Sequence, residues 1–308
     1  MAKDRRTLSV VSKPRINLPV DSSIMLVRLS FMKPKLTVST GGAAFRKIAM
    51  GSWRTAGDPS VYGLIEIDMT KAQAFLKKKE AEGLRLSLTH LVGKAVAITL
   101  KERPEVNGMI RFNRIYLRDH VDLFFQVNIP GADKDVVGKS NLTGVTVRKA
   151  ELLSAAQIAA DLNEKSQNLR SGKEGELTKS VKSLAWVPWF LIRTVLNVSS
   201  FLNYDLGINL TWAGMPRDAF GSVMITNIGS MGGDTAWAPL VPYTKVPMLI
   251  TLGQVKLRPW VNESGQVEAR PVARIGVTFD HRFMDGAHAA AMSRVFEKCF
   301  ADPEQYFG

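Results

Sequence analysis

Helix-periodic and β-rich runs follow one another in this chain without strict alternation, and that order limits the architectures open to it. "VYGLIEIDM" (61–69) alternates apolar and polar residues and reads as a strand. Thr70 stands where an N-cap belongs, ahead of the helical "KAQAFLKKKEAEG" with Gly83 as its stop. "SLTHLVGKAVAITLKERP" has Ser87 as cap, an apolar face of Leu88, Leu91, Val92, Ala95, Val96 and Ile98, and Pro104 as terminator. "GMIRFNRIYL" and "VDLFFQVNIP" read as a hairpin joined through "RDH", followed by a short strand, "LTGVTVR". A long helix, "AELLSAAQIAADLNEKSQNLRSG", is stopped at Gly172. Strands resume with "GSVMITN" and "VPMLITLGQVKLRPWV", and the chain closes on a strand, a turn and a helix. This grammar predicts α/β layers around a mixed sheet rather than a doubly wound nucleotide fold, and no glycine-rich phosphate loop follows a strand.

The 308 residues suffice for one large domain or two small ones, and 45% hydrophobic with 22% charged residues is the balance of a chain that mostly folds. One cysteine, Cys299, excludes an internal disulfide and a cysteine metal cluster, which makes a reducing compartment, the cytoplasm, the default. The net charge of +13 is concentrated: ten basic and two acidic residues fall in the first fifty. Residues 1–44 therefore read as a basic N-terminal arm, solvated or clasping a neighbouring subunit, a reading preferred to nucleic-acid binding. No apolar h-region follows its early charges, so it does not read as a secretory signal.

Residues 183–215, "SLAWVPWFLIRTVLNVSSFLNYDLGINLTWAGM", concentrate Trp186, Trp189, Phe190, Phe201 and Trp212. The part from 184 to 202 has spanning length, but Pro188, Arg193, Asn197, Ser199 and Ser200 interrupt it. An amphipathic helical hairpin packed on the body or on a neighbour is expected, with attachment to a membrane surface or a partner protein as the second option.

The sharpest local feature is "VTFDHRFMDGAH", a strand end that presents ionisable groups at a junction with a helix. His281 can serve there as general base, since its ordinary pKa lies near neutrality; a structural hydrogen bond is the blander alternative. A metal site of His281, Asp285 and His288 is disfavoured, because Gly286 suggests a turn rather than a continuous helix and no further ligand cluster accompanies it.

"DHRFMDG" resembles the His-x-x-x-Asp-Gly motif of the catalytic domain of 2-oxo acid dehydrogenase complex acyltransferases (dihydrolipoamide acyltransferases), whose fold is like that of chloramphenicol acetyltransferase. The resemblance continues in family order through "FRKIAM", "IEIDMTK", "SLTHLVGKAVAITLKERPEVN", "HVDLFFQVNIP", "VTVRKAELLSAAQIA", "FGSVMITNIGSMGG" and "FADPEQYF", across nearly all of residues 45–308. It implies a two-layer sandwich with a mixed sheet, and acyl transfer between dihydrolipoamide and coenzyme A. His281 matches the catalytic base, Thr226 the residue whose hydroxyl stabilises the oxyanion, and Asn227 follows as in the family. Asp285 matches the aspartate that holds the site's architecture, with Arg46 or Arg282 as its arginine, and Gly286 the glycine that lets the backbone turn, where a side chain would be costly. The family further implies a homotrimer with sites between subunits, and a larger cage joined by tails like "DPEQYFG", with Tyr306 and Phe307 as apolar knobs.

Two departures shape the expectation. No lipoyl or subunit-binding pattern stands ahead of residue 45 in this sequence, and Lys71 of "DMTKA" reads as a helix-surface lysine, so the lipoyl group is expected on another chain. Residues 183–215 have no counterpart in the family pattern. A structural cage or scaffold using that segment, or an acyltransferase with a small-molecule acceptor, are the alternatives.

Overall fold

The computed structural model describes residues 57–129, 141–171, 187–213 and 215–308. The basic arm, Arg46, Gly172 and Trp186 lie outside the described residues.

Strand β1 (Ser60–Asp68) leads into helix α1 (Thr70–Ala81), and α2 (Leu88–Glu102) follows. Thr70 is not the cap of α1: the helix starts on it, and its amide and hydroxyl both donate to Asp68 Oδ1. Ser87 caps α2 as expected, with His90 completing the box from the third helical position. Gly83 has φ +83°, the left-handed conformation that stops α1.

The hairpin is shorter than the one predicted. β2 (Gly108–Arg111) and β3 (Arg114–Leu117) pair with each other through a two-residue turn at Phe112 and Asn113, both at positive φ. β4 (Leu123–Ile129) instead joins the main sheet, where β5 (Asn141–Val147) lies antiparallel to it. After α3 (Ala155–Arg170) come α4 (Ile192–Ser200), β6 (Val223–Asn227), β7 (Met248–Leu252), β8 (Lys256–Val261), β9 (Val267–Asp280), α5 (Gly286–Ala301) and α6 (Pro303–Phe307). The apolar run at 246–261 is two strands, because the chain leaves the sheet at Gly253 before β8 begins.

The sheet has the order β1-β9-β7-β6-β4-β5, with β8 paired to the first half of β9. β4, β6 and β7 run parallel; the other pairings are antiparallel. The strand period of two sends Phe125, Ile225 and Ile250 to one face, where they join Phe75, Leu91 and Phe300 of the helices in the main core. Phe124, Met224 and Leu249 point the other way, into a small cluster closed by Phe220 and Leu240. One face thus carries the helical layer, which is the expected two-layer α/β sandwich with a mixed sheet.

Two expectations change in the outer elements. Phe307 is no free knob: it is 3% exposed, with its ring 6.2 Å from Phe75 and 5.5 Å from Phe300. The aromatic segment shows no helical hairpin among its described residues. The nine-residue α4 passes into a π-turn at Phe201–Asp205 and a 3-10 turn at Thr211–Ala213. No helix among the described residues is long and apolar enough to cross a membrane.

Candidate active site

The turn after β9 is shaped by burial on one side and hydrogen bonding on the other. Phe283 and Met284 are buried and their amides bond back to the Asp280 carbonyl, which leaves His281 and Arg282 facing outward. The His281 amide donates to Pro59 O at 2.9 Å, so the residue that leads into β1 fixes the backbone beneath the imidazole. Asp280, 7% exposed, accepts from Arg282 Nη2 at 2.7 Å and from Nε at 3.0 Å. Arg282 therefore does not serve Asp285, contrary to one of the two expected pairings.

Asp285 is the N-cap of α5. Its carboxylate accepts from the amides of Ala287 and His288, and His288 Nδ1 lies 2.7 Å from the same oxygen. Bonds from the His288 amide and ring hold the Asp285 carboxyl below its usual pKa. His288 Nδ1 also lies 3.3 Å from the Asp285 amide. One nitrogen cannot both donate to the carboxylate and accept from the amide, and the shorter contact belongs to the charge-assisted bond. Gly286 is the first residue of α5. A Cβ added to it would meet no heavy atom within 4 Å, and its φ is not positive, so nothing in the described chain makes a side chain costly there.

All four histidines fall among the described residues. His90 and His288 close the first turns of their helices, and His120 pairs with Glu151 at 2.9 Å. His281 is the one whose ring has no partner among the described residues, and it is exposed.

Thr226 is the penultimate residue of β6, half-buried, and its hydroxyl likewise makes no hydrogen bond among the described residues. Asn227 holds the strand end in place: its amide donates to Thr89 Oγ1 at 2.8 Å, and its Oδ1 accepts from the Ser230 amide at 3.0 Å. Thr89 was missed in the sequence; its place in the first turn of α2, where side chains satisfy exposed backbone groups, is the signal that could have raised it. Beside Thr226 is a cleft of about 270 Å³, lined by Ser87, Thr89, His90, Gln126 and Asn227.

The strand register decides how these groups relate. Thr226 pairs with Thr251, and Thr251 with Gly276, so Thr226 sits two strands from β9 and level with Gly276. His281 lies five residues further along the chain, at the opposite end of the sheet. With about 3.3 Å per residue and about 4.8 Å between strands, the two Cα atoms are roughly 19 Å apart. The His281 ring and the Thr226 hydroxyl of one chain therefore cannot reach one common atom. At the His281 end there is a separate cleft of about 410 Å³, lined by Pro59, Ile110, Phe112, Lys245, Asp280 and Arg282. A third cavity of about 250 Å³, between α5 and the sheet, is walled by Val96, Ile275, Met284, Ala289 and Phe296 and presents no ionisable group. No group of three or more potential metal ligands occurs among the described residues.

The catalytic-domain model of the 2-oxoacid dehydrogenases acyltransferase family matches residues 46–180 and 218–308. The mitochondrial dihydrolipoyllysine-residue succinyltransferase component of the 2-oxoglutarate dehydrogenase complex of Saccharomyces cerevisiae is 26% identical over 247 residues, 78% of this chain and 42% of that protein. The dihydrolipoyllysine-residue acetyltransferase component of the acetoin cleaving system of Bacillus subtilis is 23% identical over 78% of this chain and 48% of its own length. The chain thus spans less than half the length of these curated relatives. Among solved structures, the cubic core of the pyruvate dehydrogenase multienzyme complex superposes with TM-score 0.59 at 20% identity, covering 96% of this chain and 99% of that one. A probable dihydrolipoamide acetyltransferase from Listeria monocytogenes does so with TM-score 0.58 at 17% identity, covering 86% and 94%. The sheet order, the turn that carries His281 and a family model matched over most of the sequence agree: the chain belongs to the catalytic-domain family of the 2-oxoacid dehydrogenase acyltransferases.

Proposed function

We propose that this chain transfers an acyl group between the thiol of dihydrolipoamide, carried on another chain, and coenzyme A. The observation that carries this reading is a pair of groups without partners among the described residues, the His281 ring and the Thr226 hydroxyl, on backbone that its neighbours hold firmly.

A thiol is mostly protonated at neutral pH, so a base is needed to form the attacking thiolate. His281 takes the thiol proton. The thiolate adds to the thioester carbonyl, and the Thr226 hydroxyl donates to the oxygen as it becomes negative. Collapse of the tetrahedral species expels the second thiolate, which recovers the proton from His281. Because the two groups sit at opposite ends of one sheet, the working site is assembled from His281 of one subunit and Thr226 of a neighbouring one, in a homotrimer open to a larger cage. Asn227 positions Thr226 through Thr89; Asp285 sets the start of α5 rather than touching substrate. Residues 45–308 form the catalytic domain in this reading, 1–44 an arm that clasps a neighbour, and 183–215 an insertion, which the gap between the two matched stretches of the family model supports. Burial raises the Cys299 thiol to about 12, which fits a structural rather than a reactive cysteine; the reducing cytoplasm remains the compartment of this reading, on the chain's single cysteine.

His281→Ala is expected to lower kcat for acyl exchange between coenzyme A and free dihydrolipoamide by about 10²–10⁴, the usual worth of a positioned base. Thr226→Ala should lower it by about 10²–10³. Undiminished turnover in His281→Ala would sink the role given to His281, and absence of turnover in the wild type would leave a scaffold of the same fold. Activity retained toward hydroxyl or amine acceptors but absent with dihydrolipoamide would indicate a small-molecule acceptor instead.

A further inference from the structure

The segment between α3 and β6 has an inner and an outer side. Its inner side is anchored: Tyr204, Asp205 and Leu210 are buried, Asp205 pairs with Lys245 at 3.1 Å, and Arg111 donates to the Asp205 carbonyl at 2.6 Å. Phe201 meets Phe112 edge to face, 6.2 Å between centroids, and Asn203 donates to Pro216 O. The segment is therefore built onto the hairpin β2–β3 and the turn before β7. Its outer side nevertheless shows Trp189 at 86%, Phe190 at 64% and Trp212 at 83% exposure. Trp189 and Phe190 stack edge to face on each other and on nothing else described. Helix α4 turns its apolar residues Ile192, Val195 and Leu196 partly inward, so these bare aromatics belong to the turns flanking the helix.

Charge selects among possible occupants. Both acidic residues of 187–218, Asp205 and Asp218, are tied into ion pairs, Asp205 with Lys245 and Asp218 with Arg118. The segment's remaining charges, Arg193 and Arg217, are exposed cations without an acidic partner among the described residues. Bulky aromatic tips, two of them tryptophan, with cations and no free carboxylate match the interfacial zone of an anionic bilayer: indole rings settle at headgroup depth, and guanidinium groups meet lipid phosphate. A protein partner would have to bring its own carboxylates to these cations, because the segment's two acidic residues are already paired. We infer that the turns at Trp189–Phe190 and Trp212 form a peripheral docking surface for anionic membrane lipid. The inference is independent of the acyl-transfer reading.

The test is co-sedimentation of the full chain with sucrose-loaded phosphatidylcholine vesicles, with and without about 30% phosphatidylglycerol. Wild type should sediment with the anionic vesicles, less so at raised salt, and the W189A/F190A/W212A triple variant should partition roughly tenfold or more weakly. The variant keeps every basic residue, so binding that persists in it would place the contact elsewhere, on the arm for instance, and overturn the inference. Absence of wild-type binding to anionic vesicles at low salt would do the same. A particle mass that falls in the triple variant, without lipid, would identify the surface as a contact between copies of the chain and also refute lipid docking. Should the triple variant misfold, brominated lipid in the anionic vesicles supplies a second readout. Wild-type tryptophan emission should be quenched, and Trp189→Phe and Trp212→Phe should each remove part of the quenching. Equal quenching in both single variants and wild type would count against these turns.

Discussion

His90 and His288 occupy the same place in two helices, the third residue of the first turn, and both reach back to the cap. In the usual capping box that position is Glu or Gln, so these histidines hold a structural post with a titratable ring. Burial depresses His90 from 6.5 to about 4. The folded chain binds the proton less well than the unfolded chain, so this stabilisation is complete above pH 6.5 and is lost as pH falls toward 4. Urea midpoints should therefore decline across that window by an amount worth up to about 3 kcal/mol, less where water reaches the ring. His90→Gln keeps a box-forming side chain without the titration and should flatten the decline; an unchanged slope would show that the acid sensitivity arises elsewhere. The same scale separates His281 from the other three. A histidine followed by an aspartate four residues on suggests a chemical pair, yet the Asp285 carboxylate belongs to α5 and His288. Thr226 looked in sequence like any β-branched strand residue, and the resemblance alone singled it out. Neither role is legible from composition or spacing, because a free ring or hydroxyl is defined by what its neighbours do not contact.

At the scale of elements, α2 lies close to the sheet because of one residue. A Cβ on Gly93 would stand 2.6 Å from Phe125 Cζ, and that ring is locked in the core at 2% exposure. Glycine inside a helix costs about 1 kcal/mol relative to alanine in propensity, so Gly93→Ala would stabilise an isolated helix. Here overpacking outweighs propensity, and the variant should be less stable by about 1–3 kcal/mol, read as a lower urea midpoint with unchanged m. An increase in stability would mean that the ring yields. Periodicity found most of these elements, since amphipathic helices and half-buried strands are written in spacing. It failed at the hairpin, where the turn is Phe112–Asn113 rather than "RDH". Phenylalanine at φ 47° is not a turn residue by local preference; its ring packs on Phe201, far along the chain. The resemblance misled at the C-terminus, where it implies an exposed knob at Phe307 and the ring is buried in its own chain.

At the scale of the whole molecule, the separation of His281 from Thr226 makes subunit assembly a condition of the proposed activity. Mixing His281→Ala with Thr226→Ala chains, then denaturing and reassembling them together, should restore roughly a quarter of the wild-type sites, because some neighbours then pair an intact histidine with an intact threonine. No recovery above that of either variant alone would place both groups in one subunit's site and contradict the assembly described. What the sequence by itself determined is most of the elements, the identity of the β9–α5 turn and the family, because burial period, caps and motif order are local properties of neighbouring residues. The tertiary structure alone decided which polar groups among the described residues are occupied and which stand free, which glycine is constrained, and that His281 and Thr226 face opposite ends of the sheet. Those are properties of strand register and packing between residues distant in the chain, and no local pattern encodes them.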